Sequence, residues 1–583
     1  MKSSILLFFI LATMFSSVVA EDAARPNVII ILADDMGYSD LGCYGSEIST
    51  PNLDSLAAKG VRFTQFYNAA KCEPTRASLM SGYYWQDAGF GVKRGMTMGE
   101  AMKSTGYATF AVGKWHMDGN PVDRGFDRYF GHLSGGSHYF SCNASQRLDD
   151  KPFKEEPGDD FYMTDANADY AIEFLDQHQD KQTDDPFFMY LSFNAPHSPL
   201  HARPEDIAKY RDTYNVGWDE IREARYQKQL QSGITRKEWT LSPRQDSVPA
   251  WDSLREDERA YEATRMAIYA AMVDRMDQAI GRVLNQVREM GAEENTLVVF
   301  LSDNGGSPSD VTTAEQTPAG LLGPSGAGKD GYWLGLGWSN ATNTPFHSHK
   351  IEMGNGGVVT SCIASWPSVI KNPGSITDQP SHIIDLMATL TDVGEVQWPK
   401  SFKGNQLSEL PGKSLAPLLS GQPSDSRDPL YFHLFHNRAI VDGKWKLTTD
   451  WDRPWQLFDL QTDRTELNDV RGEHPKIAAK LQKNWEDWYA KVPEKRFTDA
   501  NGDPQYRRLD DPEESYRRWT GEGDGSVILF RTDASKRKPK TRTNPARKKS
   551  TGRNRVPPKQ KADPTQRPDS PEIRPQQAPT FPR

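Results

Sequence analysis

Four apolar runs of strand length recur along this chain, and polar residues follow each run at once. The runs cover residues 28–33, 107–112, 186–193 and 296–302, and residues 61–67 predict a further strand. Continuous apolar runs of this length are typical of strands that are buried on both faces of an α/β sheet. Ligand sites in such sheets lie beyond the carboxyl ends of the strands. The residues that follow the runs are therefore the first candidates for a functional site.

Helical periodicity is uneven between these strands. Residues 261–290 carry apolar side chains three and four positions apart, which predicts a helix packed on the core. Residues 50–57 include Asn, Asp and Ser in their first turn, which is typical of a capped helix start. Residues 202–260 are polar and poorly periodic. We expect there an insertion of loops and short helices near the active-site face, where it shapes substrate choice.

A different pattern begins after residue 400. Residues 439–447 place an Asp-Gly pair between two β-rich halves, which predicts a hairpin. Residues 455–460 predict one more strand, and a covering helix is expected near residues 474–492. These elements together predict a smaller C-terminal α+β subdomain with an antiparallel sheet.

Oxygen-rich side chains follow two of the predicted strands. Asp34 and Asp35 come after the first apolar run, and Asp303 and Asn304 come after the last. Adjacent carboxylates repel each other, so they are costly at a buried strand end unless a cation binds them. Carboxylate and amide oxygens are ligands that suit Ca²⁺. A turn cap would explain either segment alone, but the two segments together favour a shared metal site.

A short helix that begins with a cysteine is predicted within residues 71–82. Pro74 suits the first turn of a helix, and Gly82 suits its C-terminal cap. Cys72 would then lie at the helix N-terminus, where free N–H groups favour an anion. Arg76, one turn along, can point at the same place as a fixed cation. This combination indicates a nucleophile that attacks an anionic substrate.

Further candidates lie after other predicted strands. Lys114 can neutralise an anionic oxygen, and His116 can transfer a proton near neutral pH. His197 follows the run at 186–193 between two prolines, which stiffen its loop. Without other context, a surface lysine and packed loop histidines would be the default interpretations of these three residues.

These segments, taken together, resemble the motifs of the sulfatase family in the family's order. The residues that carry the resemblance are Ala33-Asp34-Asp35 with Gly37-Tyr38, the C-x-P-T-R segment Cys72-Glu73-Pro74-Thr75-Arg76, Gly113-Lys114-Trp115-His116, Pro196-His197-Ser198-Pro199, and Lys350 ahead of Asn355-Gly356-Gly357. The chain departs from the family pattern at Thr75, where serine is commoner, and at Asn355, which replaces a glutamate. The resemblance runs from about residue 26 to residue 470.

The resemblance implies a fold and a set of roles. The fold is an alkaline-phosphatase-like α/β sandwich, in which helices flank a large mixed central sheet. The expected boundaries are a catalytic domain at residues 26–400 and the C-terminal subdomain at 401–530. The implied catalytic residues are Cys72, Arg76, His116 and His197, the implied substrate-binding residues are Lys114, His197 and Lys350, and the implied Ca²⁺ ligands are Asp34, Asp35, Cys72, Asp303 and Asn304.

In this family the cysteine of the motif is converted to Cα-formylglycine by a maturation enzyme. The chemistry explains why. A thiol that attacked sulfur would leave a thiosulfate ester with no easy exit, whereas one hydroxyl of a hydrated aldehyde attacks and the other expels sulfate. We therefore expect an arylsulfatase-type hydrolase of sulfate monoesters with a covalent sulfo-enzyme intermediate, acting on a sulfated small molecule or polysaccharide. A sulfated carbohydrate is the expected natural substrate, and His197 is the expected acid for the leaving alcohol.

Three alternatives remain at this point. The chain could be a phosphate or phosphonate ester hydrolase of the same superfamily. It could be a catalytically inactive protein that binds sulfated glycans, although the full catalytic set argues against this. It could also keep an unmodified Cys72 in a host that lacks the maturation enzyme. Nucleic-acid motifs, a P-loop and internal repeats are absent from the sequence.

The N-terminal residues 1–20 predict a secretory signal peptide, with Lys2, an apolar stretch at 5–12 and a small-residue cleavage site at 18–20. The apolar stretch is too short to span a membrane comfortably. We expect an exported protein, periplasmic or secreted, without stable membrane insertion. The chain has four cysteines. If Cys72 is used in chemistry, at most one disulfide can form among the other three.

Charge is distributed unequally along the chain. The segment 535–583 contains 15 Lys and Arg against 3 Asp and Glu, a charge of +12, although the whole chain carries −9. This segment is rich in Pro, Thr and Gln and nearly devoid of large apolar residues, which predicts a disordered tail. The tail is interpreted either as a solvated extension or as a weak electrostatic contact to a polyanion such as a sulfated polysaccharide.

Overall fold

The computed structural model describes residues 24–493, apart from residues 90, 154–159, 184, 310–331, 424–426 and 451–452. The signal peptide expected at residues 1–20 and the basic tail expected at 535–583 lie outside the described residues. Within the described part of the chain, no helix is long and apolar enough to cross a membrane.

An eleven-stranded mixed sheet forms the core of the catalytic region. Its strands are β1 (Asn27–Ala33), β2 (Val61–Tyr67), β3 (Ala108–Gly113), β4 (Arg128–His132), β5 (Gln146–Leu148), β6 (Lys151–Pro152), β7 (Phe187–Ser192), β8 (Thr296–Ser302), β9 (Val359–Ser365), β10 (Ser375–Thr377) and β11 (Ser381–His382). They lie in the order β10-β2-β9-β8-β1-β7-β3-β4-β5-β6, and β11 pairs with β2. The pairs β8–β1, β1–β7, β7–β3 and β3–β4 are parallel, whereas β9 runs antiparallel to both of its neighbours.

Helices flank this sheet and cover its apolar side chains, and the last helix of the described chain packs on the C-terminal sheet instead. They are α1 (Pro51–Lys59), α2 (Cys72–Ser81), α3 (Trp85–Ala88), α4 (Met98–Lys103), α5 (Met163–Gln179), α6 (Pro204–Ala208), α7 (Trp218–Ser232), α8 (Glu256–Glu289), α9 (Gly335–Thr342), α10 (Asn355–Val358), α11 (Ile384–Val393), α12 (Ala416–Leu419) and α13 (Pro475–Tyr489). The long helix α8 packs against both α5 and α1. Its buried stripe includes Met266, Ala270, Val273 and Ile280, as its periodicity predicts.

The five strands predicted in this region are confirmed as β1, β2, β3, β7 and β8. Strand β1 is buried on both faces because it lies between β7 and β8 in the middle of the sheet. Its apolar run is therefore continuous rather than alternating. The cysteine helix is also confirmed, since α2 begins at Cys72 and ends before Gly82, whose φ of +72° forms the left-handed cap.

The region 202–260 differs from the prediction in one respect. It contains α7, a helix of 15 residues, where loops and short helices were expected. Its buried face includes Arg222, Arg225 and Gln229 beside Trp218 and Ile221. These polar side chains occupy inward-facing positions, so the hydrophobic periodicity that would have revealed the helix is absent from the sequence.

The C-terminal elements form a four-stranded antiparallel sheet. Its strands are β14 (Leu430–Leu434), β15 (Asn437–Asp442), β16 (Trp445–Thr449) and β17 (Gln456–Asp459), and a separate hairpin pairs β12 (Ser401–Phe402) with β13 (Asn405–Gln406). The predicted Asp-Gly turn joins β15 to β16, where Asp442 pairs with Trp445. Helix α13 covers this sheet and buries Leu481 and Trp485 against it. The observed sheet and helix confirm the predicted α+β character of this part.

Candidate active site

The parallel strands bring the predicted site residues to one edge of the sheet. Strands β8, β1, β7 and β3 are neighbours and run in the same direction. Their carboxyl ends therefore meet, and the residues that follow each strand share one pocket floor. Residues 34–35, 114–116, 194–197 and 303–304 all come from these four ends.

The two acidic strand ends lie against each other. Ligand atoms of Asp34, Cys72 and Asp303 lie within 4.8 Å of one another, and all three side chains are buried. Asn304 Nδ2 donates to Asp35 Oδ1 at 2.8 Å. Asp35 itself adopts a φ of +64°, a left-handed conformation that turns its carboxylate into the cluster.

Two free oxygens show that this cluster fits a cation. Asp34 Oδ1 and Asn304 Oδ1 are buried, and neither accepts a hydrogen bond from the described residues. Buried acceptors without a donor are costly unless something positive is bound. Burial and the neighbouring Asp34 raise the pKa of Asp303 well above its ordinary value. A cluster of carboxylate and amide oxygens such as this one suits a hard cation such as Ca²⁺.

Cys72 lies at the first position of α2, where the predicted helix N-terminus places it. Its side chain is 4% exposed. Burial by itself raises the pKa of the thiol, but the cations Lys114, Lys350 and Lys71 outweigh burial and lower this pKa to about 7. The position therefore stabilises a negative charge on the side chain of residue 72.

Arg76 is fully buried one turn below Cys72. Its Nη2 donates to Asp303 Oδ2 at 2.9 Å, and its Nη1 donates to the carbonyl of Lys114 at 3.1 Å. The same Nη1 donates to the hydroxyl groups of Tyr190 and Ser192. The guanidinium thus joins α2 to the ends of β3, β7 and β8 and holds a fixed positive charge beneath the cluster.

Two lysines pair with the two carboxylates that follow β1. Lys114 Nζ lies 2.5 Å from Asp34 Oδ2, and Lys350 Nζ lies 2.5 Å from Asp35 Oδ1. Both ammonium groups are buried. Burial opposes the charge of Lys350, but Asp35 and Cys72 outweigh it and raise the pKa of this lysine. The structure therefore brings Lys350, which is remote in sequence, to the site formed by the strand ends.

His116 lies beside the same cluster as a neutral base. Burial and the charges of Lys114 and Lys71 lower its pKa well below the ordinary value. Its Nδ1 is buried and has no hydrogen-bond partner among the described residues. A Cβ atom on Gly135 would lie only 2.6 Å from His116 Nε2, so the loop at 134–138 packs directly over the ring.

His197 approaches the cluster from the end of β7. Its Nδ1 contacts the carbonyl oxygen of Ser198, which can only accept, so Nδ1 carries a proton. Its Nε2 lies 3.5 Å from Asp35 Oδ2. The backbone around it is held by Tyr139, whose hydroxyl donates to the carbonyls of Asn194 and His197. The ring is thus oriented with Nε2 towards the pocket.

Every predicted site residue lies at this one pocket, and their chemical roles stay predictions. Sequence reasoning missed three groups of the pocket: Tyr190 and Ser192, which bind Arg76, and the glycine pair at 135–136. Ser192 ends β7, so the strand-end argument that found Asp34 could have found it. A glycine pair in a loop carries no signal of which side chain it packs against.

Comparison with known proteins gives the class of the chain. The sulfatase family model matches residues 26–396, and the model for the C-terminal part of N-sulphoglucosamine sulphohydrolase matches residues 349–491. The chain is 31% identical over 520 residues to an uncharacterized sulfatase of Schizosaccharomyces pombe, covering 80% of this chain and 93% of that protein. It is 31% identical over 435 residues to the arylsulfatase of Klebsiella aerogenes, covering 68% and 92%.

Some more distant relatives have names that specify a sulfated sugar as the substrate. Solved structures share the fold. The N-acetylglucosamine-6-O-sulfatase of Bacteroides thetaiotaomicron is 26% identical over 525 residues, covering 78% of this chain and 84% of that one. The protein Ps i-CgsB superimposes with a TM-score of 0.61 at 25% identity, covering 86% of this chain and 99% of that chain.

The chain belongs to the sulfatase family. It is a sulfuric ester hydrolase with the alkaline-phosphatase-like fold, as the motifs indicated.

Proposed function

We propose that residue 72, matured to formylglycine, is the nucleophile with which this enzyme hydrolyses sulfate monoesters of carbohydrates. The observation that carries the proposal is the setting of residue 72. It lies at a helix N-terminus near the charges of Lys114 and Lys350 and one turn from Arg76, and His116 and His197 lie beside the same cluster. A sulfate group needs this arrangement, because its oxygens carry negative charge and its leaving alcohol needs a proton.

The proposed reaction divides into two steps. One hydroxyl of the aldehyde hydrate loses its proton to solvent and attacks sulfur, and the bond from sulfur to the alcohol oxygen breaks. His197, protonated on both ring nitrogens at this stage, gives its Nε2 proton to that oxygen and keeps its Nδ1 proton. His116, which is neutral, then takes the proton of the second hydroxyl. The carbon–oxygen double bond reforms, sulfate leaves with its bonding electron pair, and water restores the hydrate. The two lysines hold the sulfate oxygens throughout.

Asp34, Asp35, Asp303, Asn304 and residue 72 would hold Ca²⁺ in this proposal. The free oxygens of Asp34 and Asn304 support this assignment. A bound divalent cation lowers the pKa of an oxygen ligand and offsets charge on the sulfate. His197 is left out of the ligand set because Ca²⁺ prefers oxygen over nitrogen donors.

The substrate class rests on the names of relatives and on export. Relatives named for N-acetylglucosamine-6-O-sulfate and N-acetylgalactosamine-6-sulfate hydrolysis support a sulfated carbohydrate. The signal peptide expected at residues 1–20 would bring the enzyme to the periplasm or the exterior, where such polymers occur. The formylglycine-generating enzyme of the host is the partner that the proposal requires.

The deciding experiment is a mass spectrum of the tryptic peptide around residue 72, taken on protein from the native host. Conversion of the thiol to an aldehyde lowers the peptide mass, and an aldehyde-reactive probe labels it. An intact thiol in active protein would refute the mechanism. Cys72→Ala should abolish hydrolysis, whereas Cys43→Ala should retain it, because Cys43 lies outside the pocket.

Parallel rates on nitrophenyl sulfate and nitrophenyl phosphate separate the proposal from an esterase for phosphate or phosphonate. We expect the sulfate to be hydrolysed with the higher kcat/KM. A preference for the phosphate would overturn the assignment. Release of sulfate from a panel of sulfated monosaccharides then tests the carbohydrate class, and activity on the aryl ester alone would restrict the enzyme to aryl substrates.

A further inference from the structure

A buried ionic network joins the C-terminal sheet to the loop that carries Lys350. Lys446 of β16 and Glu466, beyond β17, form an ion pair of 2.5 Å, and both side chains are fully buried. Lys446 Nζ also donates to Asn355 Oδ1 at 2.8 Å. The backbone N–H of Asn355 donates to Glu466 Oε2 at 2.6 Å. Asn355 is thus hydrogen-bonded to both partners of the pair: its side chain accepts from Lys446 and its backbone donates to Glu466.

Three more contacts fix the same loop from the same side. Asn355 Nδ2 donates to the carbonyl of Arg464 at 2.8 Å. The N–H of Met353 donates to Asp450 Oδ1 at 2.8 Å, and Asn437 Nδ2 donates to the carbonyl of Ile351 at 3.0 Å. Ile351, Met353 and Asn355, which follow Lys350, are therefore each hydrogen-bonded to the C-terminal sheet or its connections.

The loop needs this support because its backbone is strained. Ser348 has a φ of +71°, and Ile351 has a φ of +85°. A β-branched residue in that region is strained and persists only where surrounding contacts impose its conformation. These two residues flank Lys350 closely, so their conformation sets the direction of its side chain.

The strained turn also touches the nucleophile segment. The N–H of Ile351 donates to the carbonyl of Ala70 at 2.7 Å, two residues before Cys72. The N–H of Lys350 donates to the carbonyl of Gly306 at 3.2 Å, behind the acidic strand end of β8. The loop therefore links the C-terminal network to both halves of the site.

We propose that Lys446, Glu466 and Asn355 are positioning residues that hold Lys350 against the sulfate site. The inference rests on the proposed function, because it takes Lys350 as a sulfate-binding cation. It assigns the C-terminal sheet a part in catalysis, although none of its side chains enters the pocket described above. It also gives a role to Asn355, which replaces the glutamate of the family pattern. The side-chain amide of Asn355 accepts a hydrogen bond from Lys446 and donates one to the carbonyl of Arg464.

A double-mutant cycle with Lys350→Ala tests the inference. The first variant is Lys446→Met with Glu466→Gln, which removes both charges of the pair together rather than leaving one of them alone. The second variant is Asn355→Ala, which removes only the side-chain hydrogen bonds of Asn355 to Lys446 and to the carbonyl of Arg464. It tests the inference if the first variant does not fold. We expect either variant to lower kcat/KM for nitrophenyl sulfate by about 10- to 100-fold in the wild-type background, since small misplacement of a binding group has effects of this size.

In the Lys350→Ala background the same substitutions should not lower kcat/KM any further, because the ammonium group that they position is absent. Equal losses in both backgrounds would show a general structural effect and overturn the inference alone. Wild-type activity in both variants would also overturn it. Wild-type activity in Lys350→Ala itself would overturn the proposed role of Lys350 and this inference with it.

Lys444→Met is the matched control. Lys444 lies two residues before Lys446 and pairs with Asp459, but its side chain is 45% exposed. We expect this variant to match the wild type in kcat/KM. A loss equal to that of the neutral-pair variant would show that any charge removed from the sheet has the effect, and would overturn the inference.

Discussion

The side chain of His116 is closely packed on both sides of its ring. The ring has a buried, unpartnered Nδ1 within the described chain, and the loop at 134–138 covers its other nitrogen. Its low pKa follows from burial and from the charges of Lys114 and Lys71. A neutral ring can accept a proton at neutral pH without first losing one, which is what the second step of the proposed reaction requires.

Gly135→Ala should therefore impair catalysis sharply. The added Cβ would lie 2.6 Å from His116 Nε2, so the ring or the loop must move. A shift near 1 Å in a reacting group lowers kcat/KM by roughly 100-fold. Steady-state kinetics on nitrophenyl sulfate measure the effect, and a thermal melt checks that the fold is intact.

Gly136→Ala is the control for this prediction. Its Cβ would meet only His197 Cε1, at 3.9 Å, which is an ordinary contact. We expect activity close to that of the wild type. If the two variants lose activity equally, the close packing on His116 is not the cause.

At the scale of secondary-structure elements, the order of the strands in the sheet brings the site residues together. Strands β8, β1, β7 and β3 end together, so four short segments that are up to 270 residues apart by the numbering meet at one edge. Sequence reasoning could predict this because the apolar runs fix each strand end. It could not predict the 15-residue helix α7, whose buried Arg225 instead binds Asp40 at 2.7 Å in place of apolar packing.

The proposed metal site also depends on strand order, since four of its five ligands follow β1 and β8 and the fifth is residue 72 of α2. Adding Ca²⁺ at about 100 times its dissociation constant to metal-free protein contributes about 2.7 kcal/mol to stability. The melting temperature should rise by about 3 °C, because a chain of this size has a large entropy of unfolding. Asp303→Asn should abolish most of this rise, because it removes a charged ligand without changing the shape of the side chain.

Asp277→Asn is the matched control for calcium. Asp277 is a buried carboxylate that accepts hydrogen bonds from the N–H groups of Asn52 and Leu53, away from the cluster. The variant should melt lower than the wild type but show the same increase with Ca²⁺. An unchanged melting temperature of the wild type at saturating Ca²⁺ would contradict the metal assignment.

At the scale of the whole molecule, the main feature that the sequence does not predict is the set of contacts between the C-terminal sheet and the loop that carries Lys350. The sheet, its Asp-Gly hairpin and helix α13 follow from local pattern, because turn residues and amphipathic spacing are local signals. The contact of Lys446 with Asn355 does not follow from any local signal. It joins residues 91 positions apart through a buried lysine, and charged residues ordinarily predict an exposed face.

Buried histidines make the fold as a whole sensitive to acid. Burial lowers the pKa of His132 and of His349 to about 3, and burial with the neighbouring His138 lowers the pKa of His201 to about 4. In the unfolded chain such groups take up a proton near pH 6.5. Between pH 6.5 and pH 4 the unfolded state thus binds protons that the native state does not, and stability falls as pH falls.

His201→Phe isolates one of these contributions. The ring is 4% exposed, stacks on His138 and meets Tyr139 edge-on. Neither ring nitrogen has a hydrogen-bond partner among the described residues. A phenyl ring can therefore occupy the site without losing a bond. At pH 5 the wild type loses about 2 kcal/mol through this histidine, because 1.5 pH units separate pH 5 from the unfolded pKa.

We accordingly expect His201→Phe to match the wild type at pH 7.5 within about 1 kcal/mol. At pH 5 the variant should be more stable than the wild type by about 2 kcal/mol relative to that baseline. Urea denaturation at the two pH values measures the difference. Parallel stability curves for the two proteins would show that His201 takes up its proton equally in the native and unfolded states, and would contradict the assignment of acid sensitivity to its burial.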